Sequence, residues 1–357
     1  MNSFDAYPSK NRLSAQLDLS RFRKLSQLEK TRQEVMSPSA SFFRDGIRRL
    51  FRNPLAVLSL ALLAVIVVGI LVVPSVVPYG YDEILKVDGR RDLGAKNLAP
   101  FAYSEMEQAY MERTGERLFP HVLGTDELCR DYFVRVVYGT RVSLAVGVVA
   151  SLIVLIIGLV VGSISGYVGG KVDLVLMRIV DVIYSLPDLL IIILLSVVLG
   201  EVLVFPPGTW AAELGTNMLS IFLVFGLLYW VGMARLVRGQ ILSVKENEYV
   251  LAALSVGARA PRIILRHILP NCLSVIIVSV ALQIPAAIFT ESYLSFVGLG
   301  VKAPMPSLGS LANAAREGIQ THPHKLLFPA LMICLIVLSL NLLGDGLRDA
   351  FDPKLKR

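Results

Sequence analysis

Three carboxylates stand inside long apolar runs of this sequence: Asp181 and Asp188 in IVDVIYSLPDLLIIILL, and Glu291 at the end of another. Asp181 and Asp188 are seven residues apart, so a helix would carry them on roughly one face, with Pro187 placed to kink or loosen it between them. Acids this deep in apolar sequence are candidates for lining a water-filled pathway or for handling protons or ions. The competing reading is structural, a carboxylate paired with Arg178 or with a backbone donor at a helix break. His322-Pro323-His324 offers two ring ligands but no third nearby, so loop surface is the simpler reading and no metal site is expected. Gly166-Tyr167-Val168-Gly169-Gly170-Lys171 fails as a phosphate loop, because Val172 follows the lysine where Ser or Thr is required and Ser165 stands where the first glycine should. No nucleophile, base and orienter occur together in a known elbow, so the chain is not expected to be an enzyme.

A second stretch carries a different chemistry, that of docking. Tyr249 to Pro270, YVLAALSVGARAPRIILRHILP, is basic and lies between two apolar runs. Glu246 and Glu248 suit a helix N-terminus ahead of Tyr249, Leu251, Ala252 and Ala253. Gly257 and Ala258 interrupt that helix, and Arg259 to His267 begins a second one with Pro261 in its first turn. Ile263, Ile264 and Ile268 share one side of it, and Arg259, Arg262 and Arg266 share the other. Pro270 marks the expected start of the next membrane helix. Lipid phosphates or plain topology signalling could account for the arginines alone. The glycine bend and the Ala-Ala pair are unnecessary for lipid and favour close approach by a partner protein.

These stretches must be positioned by membrane helices. The chain has 357 residues, 54% hydrophobic and only 18% charged, which is membrane composition. Its net charge of +7 does not point to nucleic acid, since the basic residues flank apolar runs. Three scattered cysteines make no disulfide framework. The first apolar run begins near Leu55, after a long polar stretch, so no cleavable leader is expected. Six runs reach the length of a span, at about 55–78, 142–164, 174–200, 218–237, 268–290 and 326–344.

Charge sets their orientation. Residues 1–52 hold eleven Lys or Arg against five acids, and the loop from Arg235 to Arg266 holds six against two. Segment 79–141 holds nine against eleven. Both termini are therefore expected in the cytoplasm. Residues 1–54 read as a cytoplasmic segment ending in an interfacial helix, with Phe42, Phe43, Ile47, Leu50 and Phe51 opposite Arg44, Arg48, Arg49 and Arg52. Residues 79–141 form an external loop, in which Gly124-Thr125-Asp126-Glu127 suggests a turn and helix start. The core is 142–344, with Gly344 and Gly346 loosening the last helix into a cytoplasmic tail, 345–357.

Ala252, Ala253, Gly257 and Ile268-Leu269-Pro270 resemble the "EAA" coupling loop of ATP-binding-cassette importer permeases, here within 238–267. The family's glutamate falls at Leu251, so a pairing by that carboxylate does not carry over. His121 to Leu144, with Cys129 where a glycine is common, resembles the dipeptide and oligopeptide permeases, as do Tyr229 to Gln240, Glu291 to Gly300 and Asn341 to Pro353. The resemblance covers roughly 40–60 and 121–357. It implies an all-α, six-span type I importer permease in a bacterial cytoplasmic (inner) membrane. It also implies a second homologous permease subunit, two cytoplasmic ATP-binding subunits that hold ATP and Mg, and an extracytoplasmic peptide-binding protein, with no cofactor on this chain. The alternative is an ion- or proton-coupled secondary transporter or channel that uses the intramembrane acids.

Overall fold

The computed structural model describes residues 42–203, 206, 209, 216–301 and 305–351. The expectations for residues 1–41, for most of 201–217, for Pro304 and for the tail from Asp352 lie outside these residues, as do the side chains of Phe42, Phe43 and Asp188. Residues 46–357 form one unit, and the described part of the other, 1–45, is the start of helix α1 (Phe42–Leu50).

The first span, α2 (Pro54–Val76), starts where Asn53 accepts hydrogen bonds from the Leu55 and Ala56 N–H groups at 3.1 and 3.4 Å, with Pro54 in the first turn. A small folded segment follows. The hairpin β1 (Lys86–Val87) and β2 (Arg90–Arg91) turns through Asp88-Gly89, both at positive φ, the backbone that a tight hairpin needs. Helix α3 (Glu105–Thr114) opens with a reciprocal capping box between Ser104 and Glu107 and closes on Gly115.

The second span, α4 (Tyr132–Val168), begins ten residues before the expected 142, capped by Asp131, which accepts from Val134 N–H at 2.9 Å. Thr125 and Asp126 do not cap a helix as expected. The Thr125 hydroxyl bonds the Ala95 carbonyl and accepts from Leu98 N–H, while Asp126 takes the N–H groups of Leu128 and Arg130. Their hydrogen bonds go to the loop, which pushes the helix start to Asp131.

The expected span at 174–200 is two helices, α5 (Gly170–Tyr184) and α6 (Asp188–Val202), bent by 90°. Pro187 supplies no N–H and keeps Leu186 out of helical geometry, so the chain breaks there rather than kinking. Asp181 and Asp188 therefore do not share a helix face. Next come α7 (Asn217–Val244), with a π turn at Phe225–Tyr229, and the short α8 (Glu248–Ser255). Helix α9 (Ala260–Phe296) runs 37 residues through a π turn at Ile264–Ile268. Pro270, expected to begin a span, sits inside this helix just after the π turn, where the widened hydrogen-bond ladder accommodates its missing donor. Helices α10 (Leu308–Ala314) and α11 (His324–Phe351) complete the described chain.

Five of these helices are long and apolar enough to cross a membrane, and α5 with α6 makes a sixth if the bent pair is one span. Spans two and four pack through Gly158, Gly162 and Gly166 of α4. A Cβ on the first two would fall within 2.6 Å of Met233 and of the Ala234 carbonyl, and one on Gly166 within 3.0 Å of the Arg238 carbonyl. The core of spans two, four and five includes Val146, Val154, Ile221, Phe225, Val237, Ile241 and Ile268. Gly344 and Gly346 do not loosen α11, which continues to Phe351. Side chains there would strike Leu282 and Ala56, so these glycines let spans five and one lie close.

Candidate functional site

Helix α8 ends in a complete left-handed cap. Gly257, at φ +82°, donates its N–H to the Leu254 carbonyl at 2.9 Å, and Ala258 N–H reaches the Ala253 carbonyl at 3.1 Å. The chain leaves through Arg259, which flanks the first turn of α9. Val250, Ile263 and Ile268 are fully buried and fix this knob to the bundle. Ala253 and Ala258 pack inward against the same core, so of the Ala-Ala pair only Ala252 faces out.

The outer surface of the knob is apolar with a basic margin. Tyr249 is partly exposed, Leu251 is 51% exposed, Leu265 66% and Val256 88%. Arg259, Arg262 and Arg266 are exposed beside them. Large apolar side chains left exposed together mark a surface that lipid or another protein covers. Behind the knob, Asp173 accepts two hydrogen bonds from the Arg238 guanidinium, at 2.5 and 2.6 Å, and one from Ser165, while Lys245 donates to the Gly166 carbonyl at 3.2 Å. These bonds fasten the turn after span two to the end of span four immediately ahead of α8.

The three acids are not brought together. Asp181 is partly exposed and pairs at 2.7 Å with Arg235, not Arg178, and the same guanidinium lies 4.2 Å from the Tyr184 ring centroid. Asp188 opens α6. Glu291 is fully buried, held by the hydroxyls of Ser143, Ser292 and Ser295 at 2.8, 3.4 and 2.7 Å. Serines from two different spans satisfy its hydrogen bonding. His322 and His324 stack edge to face at 6.0 Å, and no group of three or more potential metal ligands occurs among the described residues.

Residues 158–357, containing the knob and everything that supports it, match the family described as "Binding-protein-dependent transport system inner membrane component". Residues 41–103 match "N-terminal TM domain of oligopeptide transport permease C". The chain belongs to this family of membrane permeases. The permease is 43% identical to the dipeptide transport system permease protein DppC of Bacillus subtilis, over 92% of each chain. It is 38% identical to the oligopeptide transport system permease protein OppC of Escherichia coli K12, over 92% of this chain and 96% of the other. The relatives are membrane subunits of transport systems, and the permease is a multi-pass component of that kind.

One feature of the permease escaped the sequence reading. Between spans one and two, His121 is fully buried, with Nδ1 at 2.8 Å from Asp131 and Nε2 at 2.9 Å from Glu107, and its ring stacks on Tyr79 at 4.9 Å. Burial alone would lower the imidazole's pKa. The hydrogen bonds and charges of the two carboxylates prevail and raise it from 6.5 to about 9, so both ring nitrogens donate. Burial likewise opposes the Glu107 charge, and the bonds from His121 and Ser104 still hold its carboxyl below the usual range. Nothing periodic links residues 107, 121 and 131. The visible clue is the capping sequence of α3.

Proposed function

We propose that this permease is one half of a pore that imports peptides across the cytoplasmic membrane of a bacterium, with both termini in the cytoplasm. A second homologous permease completes the pore, and an extracytoplasmic binding protein delivers the peptide. Two cytoplasmic subunits hydrolyse ATP with Mg²⁺ and seat on the knob formed by Tyr249 to Arg266. The observation that carries this reading is the knob's exposed apolar face, set at the head of one unbroken 37-residue helix. Closure of the ATPase pair would displace that head, and a continuous helix passes displacement on instead of absorbing it in a loop. Relatives named for dipeptide and oligopeptide transport support peptide as the cargo.

Leu251 sets the character of the seat. The position that holds a carboxylate in similar permeases is here apolar and exposed, so docking relies on apolar contact with Val256 and Leu265 and on the neighbouring arginines. Purifying the permease from its native membrane tests the reading. ATPase subunits should co-elute, and Val256→Asp or Leu265→Asp should cut both co-elution and ATP-dependent peptide uptake by about tenfold or more, as loss of an interface anchor does. Both side chains are exposed, so the permease should keep its amount in the membrane. Unchanged co-elution in both variants, or proton-driven uptake by the permease without ATPases, would refute the proposal.

A further inference from the structure

Glu291 lies near the end of α9 opposite the knob, about 45 Å from Ala260 at 1.5 Å per residue. It is fully buried, and among the described residues no Lys, Arg or His hydrogen-bonds to it. An apolar side chain could fill the same volume without the cost of burying a polar carboxyl group, so its presence calls for an explanation.

The hydrogen bonds supply one. Each carboxylate oxygen takes a serine proton, and each of those serines also accepts from a backbone N–H. On one side, Ser295 Oγ donates to Oε1 at 2.7 Å and accepts from Val301 N–H at 3.1 Å. On the other, Ser143 Oγ donates to Oε2 at 2.8 Å and accepts from Leu308 N–H at 3.3 Å. Each serine turns its hydroxyl proton towards the carboxyl group and leaves an oxygen lone pair facing a backbone N–H. Val301 lies five residues beyond the end of α9, and Leu308 begins α10. One side chain therefore fixes both ends of that connection and ties them to span two through Ser143. Ser143, Ser295, Val301 and Leu308 are all buried, and a side chain on Gly309 would collide with the backbone of Ser292. A buried network with every partner satisfied holds one arrangement in preference to others.

Resting on the proposed import function, we infer that Glu291 is a positioning residue that joins the far end of the coupling helix to α10 and span two, so that docking outside and ATP hydrolysis inside report to each other through it. Both events then act on one rigid group. Loosening that group should weaken the communication between them more than either event alone.

The test uses the complete complex in proteoliposomes, with the binding protein and a peptide. ATP hydrolysis is measured with and without loaded binding protein, and peptide uptake beside it. In Glu291→Ala the stimulation ratio should fall by about tenfold, the size of an ordinary coupling between sites. Glu291→Gln, which keeps the shape and one acceptor, should fall less. Ser143→Ala and Ser295→Ala each cut one arm without unburying the carboxylate, and they serve if Glu291→Ala fails to assemble. Each should lower the ratio, and Glu291→Ala with Ser143→Ala should be no worse than Glu291→Ala alone. A ratio within about twofold of the parent in both serine variants, or additive losses in the double variant, overturns the inference. The import reading fails differently, through a parent complex that does not couple uptake to ATP.

Discussion

In the knob, Leu251, Val256 and Leu265 turn apolar surface outward, whereas in the segment between spans one and two Glu107, His121 and Asp131 turn charge inward. Each inverts the usual placement of its residue types, and the two inversions have different partners. The buried charges satisfy one another within the chain, so that segment is complete as it stands. Nothing among the described residues covers the exposed apolar surface, which on the proposed reading seats a second molecule. Substitutions in the first region should thus register as stability, and substitutions in the second as assembly.

The comparison breaks most readily at His121. His121→Leu leaves two buried carboxylates without their shared cation and should destabilise the segment by about 3–5 kcal/mol. Limited proteolysis within 79–131 reads this directly, and unchanged resistance would show that the charges are not a mutual clasp. Alkaline pH should act the same way, somewhat more weakly. Because the folded His121 titrates at about 9 against 6.5 unfolded, its contribution is complete below about 6.5 and is lost as pH rises through 9. That contribution is about 3 kcal/mol. Glu107, shifted downward, contributes above its unfolded value and loses that contribution as pH falls through its lower folded one, so resistance should peak between the two limits. His121→Leu should abolish the alkaline limb.

The smallest effect on folding belongs to the knob. No atom lies within 4 Å of a Cβ built on Gly257, so a side chain there fits but is strained at φ +82°. Gly257→Val should cost about 1–2 kcal/mol locally, and Gly257→Asn less, because Asn tolerates that backbone. Both should leave proteolysis of 79–131 unaltered. Co-elution of ATPases should fall further in the valine variant than in the asparagine one. Equal losses would place the defect in side-chain bulk rather than in the turn.

Where the sequence carried a local signal, the fold could be read from it. Hydropathy found the five single membrane-length helices though not their ends, and a glycine closing a helical pattern before an Arg-Ala-Pro restart located the turn at 257. Signals that depend on distant partners were invisible. Gly344 and Gly346 look like helix breakers until Leu282 and Ala56 are known to lie against them. Nothing near Glu291 in sequence announces Ser143, from another span, as its hydrogen-bond partner. Asp181 has Arg178 one helical turn away, yet pairs with Arg235. Pro187 was legible as a disturbance, though its 90° outcome was not.

The π turn at Ile264–Ile268 bears on how such permeases can change over time. A π turn arises when one extra residue is threaded into a helix, and each helical residue advances the azimuth by about 100°. Losing a single residue there would swing Arg259 and Arg262 about a quarter-turn around the axis of α9, with every span left intact. Most single-residue length changes are absorbed by loops. Here, indels between 260 and 270 would redirect the docking face, so this stretch should tolerate substitution far better than any change of length.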